Sequence, residues 1–69
     1  MSSASDLAVL SSVRSQLDEM TNRVAAIATR YQATPDSAVA IDLFEAERAL
    51  ISAGRVIDRA ITALGELST

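Results

Sequence analysis

The feature that most constrains this chain is an apolar residue at every third or fourth position, interrupted once, at Thr34-Pro35-Asp36. Steps that alternate between three and four residues match the turn of an α-helix and align the apolar side chains in one seam. The seam of the first half comprises Leu10, Val13, Leu17, Met20, Val24, Ile27 and Tyr31. The seam of the second half comprises Val39, Leu43, Ala46, Leu50, Ala53, Ile57, Ala60, Leu64 and Leu67. No alternating strand pattern is present, so the sequence predicts an all-α fold.

The interruption separates two helices. Proline cannot continue a helix but suits its first turn, and Thr34 is a favourable N-cap residue directly before Pro35. We therefore predict one helix over about residues 5–33 and another over about residues 35–65, with Gly65 as a helix stop. Since so short a connection turns the second helix back along the first, the two helices should form an antiparallel hairpin.

The size of the chain indicates that it needs a partner. Its 69 residues allow one domain, 1–69, in which we expect residues 1–5 and 66–69 to fray. Domains this small usually rely on disulfides, a metal or oligomerisation, and the chain contains no Cys and no His. Oligomerisation remains, and we predict that two hairpins dimerise into a four-helix bundle around a two-fold axis.

Charge and hydropathy argue against several classes of partner. Nine acidic residues against six Arg, with no Lys, give a net charge of −3, whereas nucleic-acid binding requires clustered positive charge. No apolar segment has the length of a membrane span, and the N-terminal residues lack the pattern of a signal peptide. We therefore expect a cytoplasmic protein that binds neither nucleic acid nor membrane.

The second helix has more apolar residues than one seam uses, whereas polar residues such as Arg14 and Thr21 flank the first seam. A helix with a wide apolar face contacts more than one neighbour. The second helix should therefore lie at the dimer interface. The interface residues that we predict are Ala49, Ala53, Val56, Ala60, Ile61 and Ala63.

A further apolar strip lies outside the seam near the start of the second helix. It contains Ile41, Phe44 and Ile51, and the same side of the helix carries Arg48 and Arg55. One interpretation is that the dimer covers the strip. The other is a docking site for a different helical protein, with the aromatic ring as its anchor and the two Arg side chains setting orientation.

No catalytic, metal or nucleotide motif is present, and we expect neither enzymatic activity nor a cofactor. The sequence favours a non-enzymatic interaction module, such as a small regulator, adaptor or accessory subunit. One alternative is an anionic-ligand binder, or a small helical enzyme, at an Arg stripe that comprises Arg48, Ser52, Arg55 and Arg59. Another alternative is one half of an obligate helical heteromer.

Overall fold

In a computed structural model that describes residues 3–67, the chain consists of two α-helices packed against each other. Helix α1 spans Ser3–Tyr31 and helix α2 spans Ser37–Leu67, which confirms the predicted all-α fold. Both helices extend further toward the chain ends than predicted, and α2 passes through Gly65, whose φ is not positive. Of the residues that we predicted to fray, 3–5 and 66–67 belong to the helices, and 1–2 and 68–69 lie outside the described residues.

Thr34 organises the connection between the helices. Its hydroxyl donates a hydrogen bond to the Tyr31 carbonyl at 2.8 Å and accepts one from the Asp36 amide at 3.2 Å. Its own carbonyl accepts a hydrogen bond from the Ser37 amide at 3.2 Å, so a tight turn precedes the regular helix. Thr34 therefore caps the turn that leads into α2, and α2 itself begins at Ser37 rather than at Pro35.

The two helices run antiparallel and form a rod with extents of 54 × 14 × 13 Å. Arg14, in the first half of α1, reaches Asp58 in the second half of α2 and lies against Gly54. The same register, followed toward the turn, places Ala28 opposite Ala40. These two Ala side chains are the buried apolar residues of the described chain.

The stripe of each helix that faces the other helix is rotated from the predicted seam. The better-buried positions of α1 are mainly Leu7, Leu10, Arg14, Leu17, Thr21, Val24, Ala25 and Ala28. Those of α2 are mainly Ala40, Leu43, Phe44, Glu47, Leu50, Gly54, Ile57, Ile61 and Leu64. At about 100° per residue, the centre of each predicted seam lies roughly 65–70° from the centre of this facing stripe. The seam therefore points beside the neighbouring helix rather than at it.

Small side chains, and one polar side chain that is hydrogen-bonded within its own helix, allow this rotated packing. Gly54, Ala28 and Ala40 lie on the facing stripes, where the absence of bulk lets two helix backbones approach closely. Thr21 also lies there, and its hydroxyl donates a 2.7 Å hydrogen bond to the Leu17 carbonyl one turn earlier. A polar side chain that is already hydrogen-bonded costs little at a partly buried position.

The hairpin buries little of its apolar surface. No described residue with a large side chain is fully buried, and the accessible surface of the chain is 4967 Å². A compact monomer of 7.3 kDa would expose about 4,200 Å² by the usual scaling of area with mass. The hairpin therefore exposes several hundred Å² more than a monomer of its size normally does.

Candidate functional site

Each helix leaves an apolar strip exposed beside its facing stripe. The exposed strip of α1 comprises Val13, Met20, Ile27 and Tyr31. The exposed strip of α2 comprises Val39, Ala49, Ala53, Val56, Ala60, Ala63 and Leu67. The α1 strip corrects the prediction that only the second helix has apolar surface to spare, since Met20 is 49% exposed and Val13 37%.

The two exposed strips lie on the same side of the hairpin. On both helices the strip precedes the facing stripe by a quarter to a third of a turn, measured around the helix axis in the direction from N to C terminus. Because the helices are antiparallel, the same rotation about each axis brings both strips to one side. We call this surface, formed by the α1 and α2 strips together, the apolar side.

The predicted dimer-interface residues fall largely on the apolar side. Five of the six belong to the exposed α2 strip, and the exception is Ile61. Ile61 is half-buried on the facing stripe, where it packs toward α1. The structure thus places one continuous set of small, exposed residues along α2, next to the bulkier residues of α1.

The predicted partner-binding residues lie on the opposite side of α2. Ile41 is 66% exposed and Ile51 is 40% exposed, while Phe44 is half-buried against the hairpin. Arg48 and Arg55 are exposed beside them. We call these five residues the docking strip.

Neither Arg of the docking strip has an acidic partner in the described chain. Arg48 does not pair with Glu45, and Arg55 does not pair with Asp58, although both pairs have suitable spacing. Asp58 is instead held by Arg14 from the other helix. Both guanidinium groups of the strip therefore present their full charge to solvent.

An ion-pair network joins the two helices on the side of the docking strip. Arg14 Nε donates a 2.9 Å hydrogen bond to Asp58 Oδ1, and Arg14 Nη1 donates a second one to Asp18. The hydrogen bond to Asp58, and then the one to Asp18, raise the pKa of Arg14 above its usual value. The stabilisation that this group provides is therefore complete below its ordinary pKa, and it is lost only when rising pH passes the raised one.

Gly54 makes this network possible. A Cβ atom built at Gly54 would lie 2.9 Å from Arg14 Cζ, so the guanidinium group crosses α2 where α2 has no side chain. Spacing predicts the pair of Arg14 with Asp18, one turn apart, but not the bridge to Asp58. A glycine inside a helical pattern is the signal that points to such a close approach.

The described residues offer no metal site, and the depression on α2 does not bring the predicted Arg stripe together. No cluster of three or more His, Cys, Asp or Glu is placed to hold a metal ion within residues 3–67. A shallow depression on α2 is lined by Asp58, Arg59, Thr62, Ala63 and Glu66. Of the predicted Arg stripe the depression contains only Arg59, so it does not assemble that site.

Comparison with known proteins does not assign a function to this chain. No family model, curated protein or solved structure matches this chain. In the part of the chain that the structure describes, neither helix is long and apolar enough to cross a membrane. The apolar side and the docking strip are therefore the two candidate functional surfaces.

Proposed function

We propose that this protein is a non-enzymatic interaction module that acts as a homodimer. Two hairpins pair through their apolar sides and complete a four-helix bundle. The strip of small residues on α2 provides most of the interface, as the sequence predicts, and the bulkier strip of α1 contributes beside it. The role is that of a small regulator, adaptor or accessory subunit, which works through helix-to-helix contacts.

The observation that carries this proposal is the direction of the seams. In a four-helix bundle each helix contacts two neighbours, and the central axis lies about 45° from the direction of either neighbour. The seams of α1 and α2 both point roughly 65–70° away from the neighbouring helix, toward the same side of the hairpin. Two more helices on the apolar side would place both seams in the centre of a bundle.

The exposed area supports a second copy as the occupant. Stable protein interfaces bury about 800 Å² on each partner. The hairpin, with 4967 Å² accessible, exceeds the expectation for a compact monomer by a similar amount. A second copy presents the same apolar side, so an isologous contact covers both surfaces at once.

Two neighbouring substitutions test the proposal. Ala53 lies on the apolar side, and Ser52 lies next to it in sequence but on the outer face of α2; both are exposed in the single hairpin. Ala53→Glu places a charge in the proposed interface, so we expect it to yield a helical monomer. Ser52→Glu introduces the same charge at a position that the dimer leaves in solvent, and it should remain dimeric.

Sedimentation velocity and circular dichroism of the two variants, together with the unmodified protein, provide the readout. Equal oligomeric states for Ala53→Glu and Ser52→Glu would contradict the assignment of the interface. A folded monomer for the unmodified chain would overturn the homodimer. If the chain alone is unfolded and becomes helical only with another protein, the alternative of an obligate heteromer replaces it.

A further inference from the structure

We propose that the docking strip binds an acidic amphipathic helix of another protein. The strip comprises Ile41, Phe44, Arg48, Ile51 and Arg55. This inference deepens the proposed function and rests on it in one respect, namely that a second copy covers the apolar side. Around the axis of α2, the docking strip lies a quarter to a third of a turn to one side of the facing stripe, and the apolar side lies to the other side of it. A partner on the docking strip therefore does not compete with the second copy.

The shape of the strip fits a helix. Residues 41 to 55 cover about 21 Å of α2 at ~1.5 Å per residue, which is the length of about four helical turns. Ile41 and Ile51 are exposed, and the half-buried Phe44 ring lies between them in sequence. Apolar side chains at these positions are suited to the apolar face of an amphipathic helix.

Charge selects the partner. Arg48 and Arg55 are exposed and have no ion-pair or hydrogen-bond partner in the described chain. An Arg side chain presents a planar fork of donors that matches a carboxylate. The two positions lie two helical turns apart on one face, so a partner helix with acidic residues seven positions apart can meet both.

Acidic residues on α2 also restrict how the partner binds. Glu45 lies toward the outer edge of the strip, and the half-buried Glu47 lies toward α1. A carboxylate of the partner is repelled when it meets either of them and is attracted when it meets Arg48 or Arg55. Like-charge contacts of this kind set register and exclude wrong partners.

A panel of synthetic helical peptides tests the inference. Each peptide carries Leu along one face and Glu at two flanking positions seven residues apart, and binding to the full-length protein is measured by fluorescence anisotropy. One control series moves the second Glu by two positions, and another replaces both Glu by Lys. We expect the seven-residue spacing to bind at least about tenfold more tightly than either control, a difference of about 1.4 kcal/mol. Added salt should weaken that binding.

Variants of the protein locate the site. Arg48→Glu or Arg55→Glu should reduce peptide affinity at least about tenfold, whereas Arg30→Glu, the same charge change at an exposed position of α1, should not. Ile41→Ser, at the most exposed residue of the strip, should weaken binding without altering the helix content. Binding that is unaffected by Arg48→Glu and Arg55→Glu, or no binding by any peptide of the panel, would overturn the inference.

Sedimentation of the same samples separates this inference from the proposed function. We expect one peptide per chain bound to an intact dimer. A peptide that splits the dimer occupies the apolar side instead and contradicts the docking strip as its site. A monomer that still binds the panel through Arg48 and Arg55 would overturn the homodimer and leave the docking strip standing.

Discussion

At the scale of single residues, the alignment of the two helices depends on Gly54 and Arg14. Gly54 leaves room for the Arg14 guanidinium to cross α2 and reach Asp58. The side chain of Asp58 is 53% exposed and that of Asp18 is 63% exposed, so solvent screens both ion pairs. The network therefore contributes more to how the helices are aligned than to the free energy of unfolding.

Replacing Gly54 tests this coupling. Alanine is favoured over glycine in a helix by about 1 kcal/mol. In the unmodified protein the new Cβ would meet Arg14, so the gain in unfolding free energy from Gly54→Ala should be clearly smaller than this. In an Arg14→Ala background the obstacle is absent, and the gain should approach the full value. Urea unfolding at a fixed protein concentration measures both changes.

Gly65 provides the matched control. It lies in α2 with nothing within 4 Å of a Cβ built there, so Gly65→Ala should be equally stabilising with and without Arg14. If Gly54→Ala also gave the same gain in both backgrounds, the guanidinium group would be able to leave the space above Gly54 without cost, and the network would not require the glycine.

At the scale of the helices, each element carries a seam and a facing stripe that overlap in part. The two share residues such as Leu17 and Leu50, which lie between the neighbouring helix and the apolar side. Residues such as Met20 and Ala53 belong to the seam alone and remain exposed. Each helix therefore leaves apolar residues of its seam uncovered beside the one neighbour that the hairpin supplies.

The contribution of α1 leads to a prediction of its own. Met20 is 49% exposed in the hairpin, so Met20→Glu should leave the fold of a single chain intact. In the proposed dimer it buries a charge, and we expect the dissociation constant of the dimer to rise at least about tenfold. Ser15→Glu, at an exposed α1 position away from the apolar side, is the control that should leave the dimer unchanged. Sedimentation velocity over a dilution series reads out both.

A different result would restore the simpler prediction from the sequence. If Met20→Glu remained dimeric while Ala53→Glu became monomeric, α2 alone would form the interface. The surplus of apolar surface on α1 would then have no role in self-association.

Sequence pattern predicts the helices well and their mutual orientation poorly. Heptad spacing and the Thr34-Pro35 signal locate both helices and the turn to within a few residues. The shared residues fit both the seam and the facing stripe. Leu17, for example, has Val13 and Met20 as its neighbours on the seam and Arg14 and Thr21 on the facing stripe, each three or four residues away. Choosing between the stripes requires knowing which residues of the two helices meet, as Arg14 and Gly54 do. That information is not contained in the periodicity of either helix alone.

At the scale of the whole molecule, the hairpin leaves much of its apolar surface uncovered. The hairpin is a rod 54 Å long with two buried apolar residues among those described, and its larger apolar side chains are all at least partly exposed. One side of the rod is apolar, and the docking strip with its unpaired Arg residues lies on the other. Self-association through the first side would leave the second available to a different partner.

Sedimentation equilibrium of the unmodified 69-residue chain is the sharpest test of the proposed homodimer. We predict a species of twice 7.3 kDa at protein concentrations of about 10–100 µM, with a helical circular dichroism spectrum throughout. The thermal midpoint should rise with protein concentration, because association stabilises the folded state by mass action. A fully helical species of 7.3 kDa, with a midpoint that does not depend on concentration, would contradict the account.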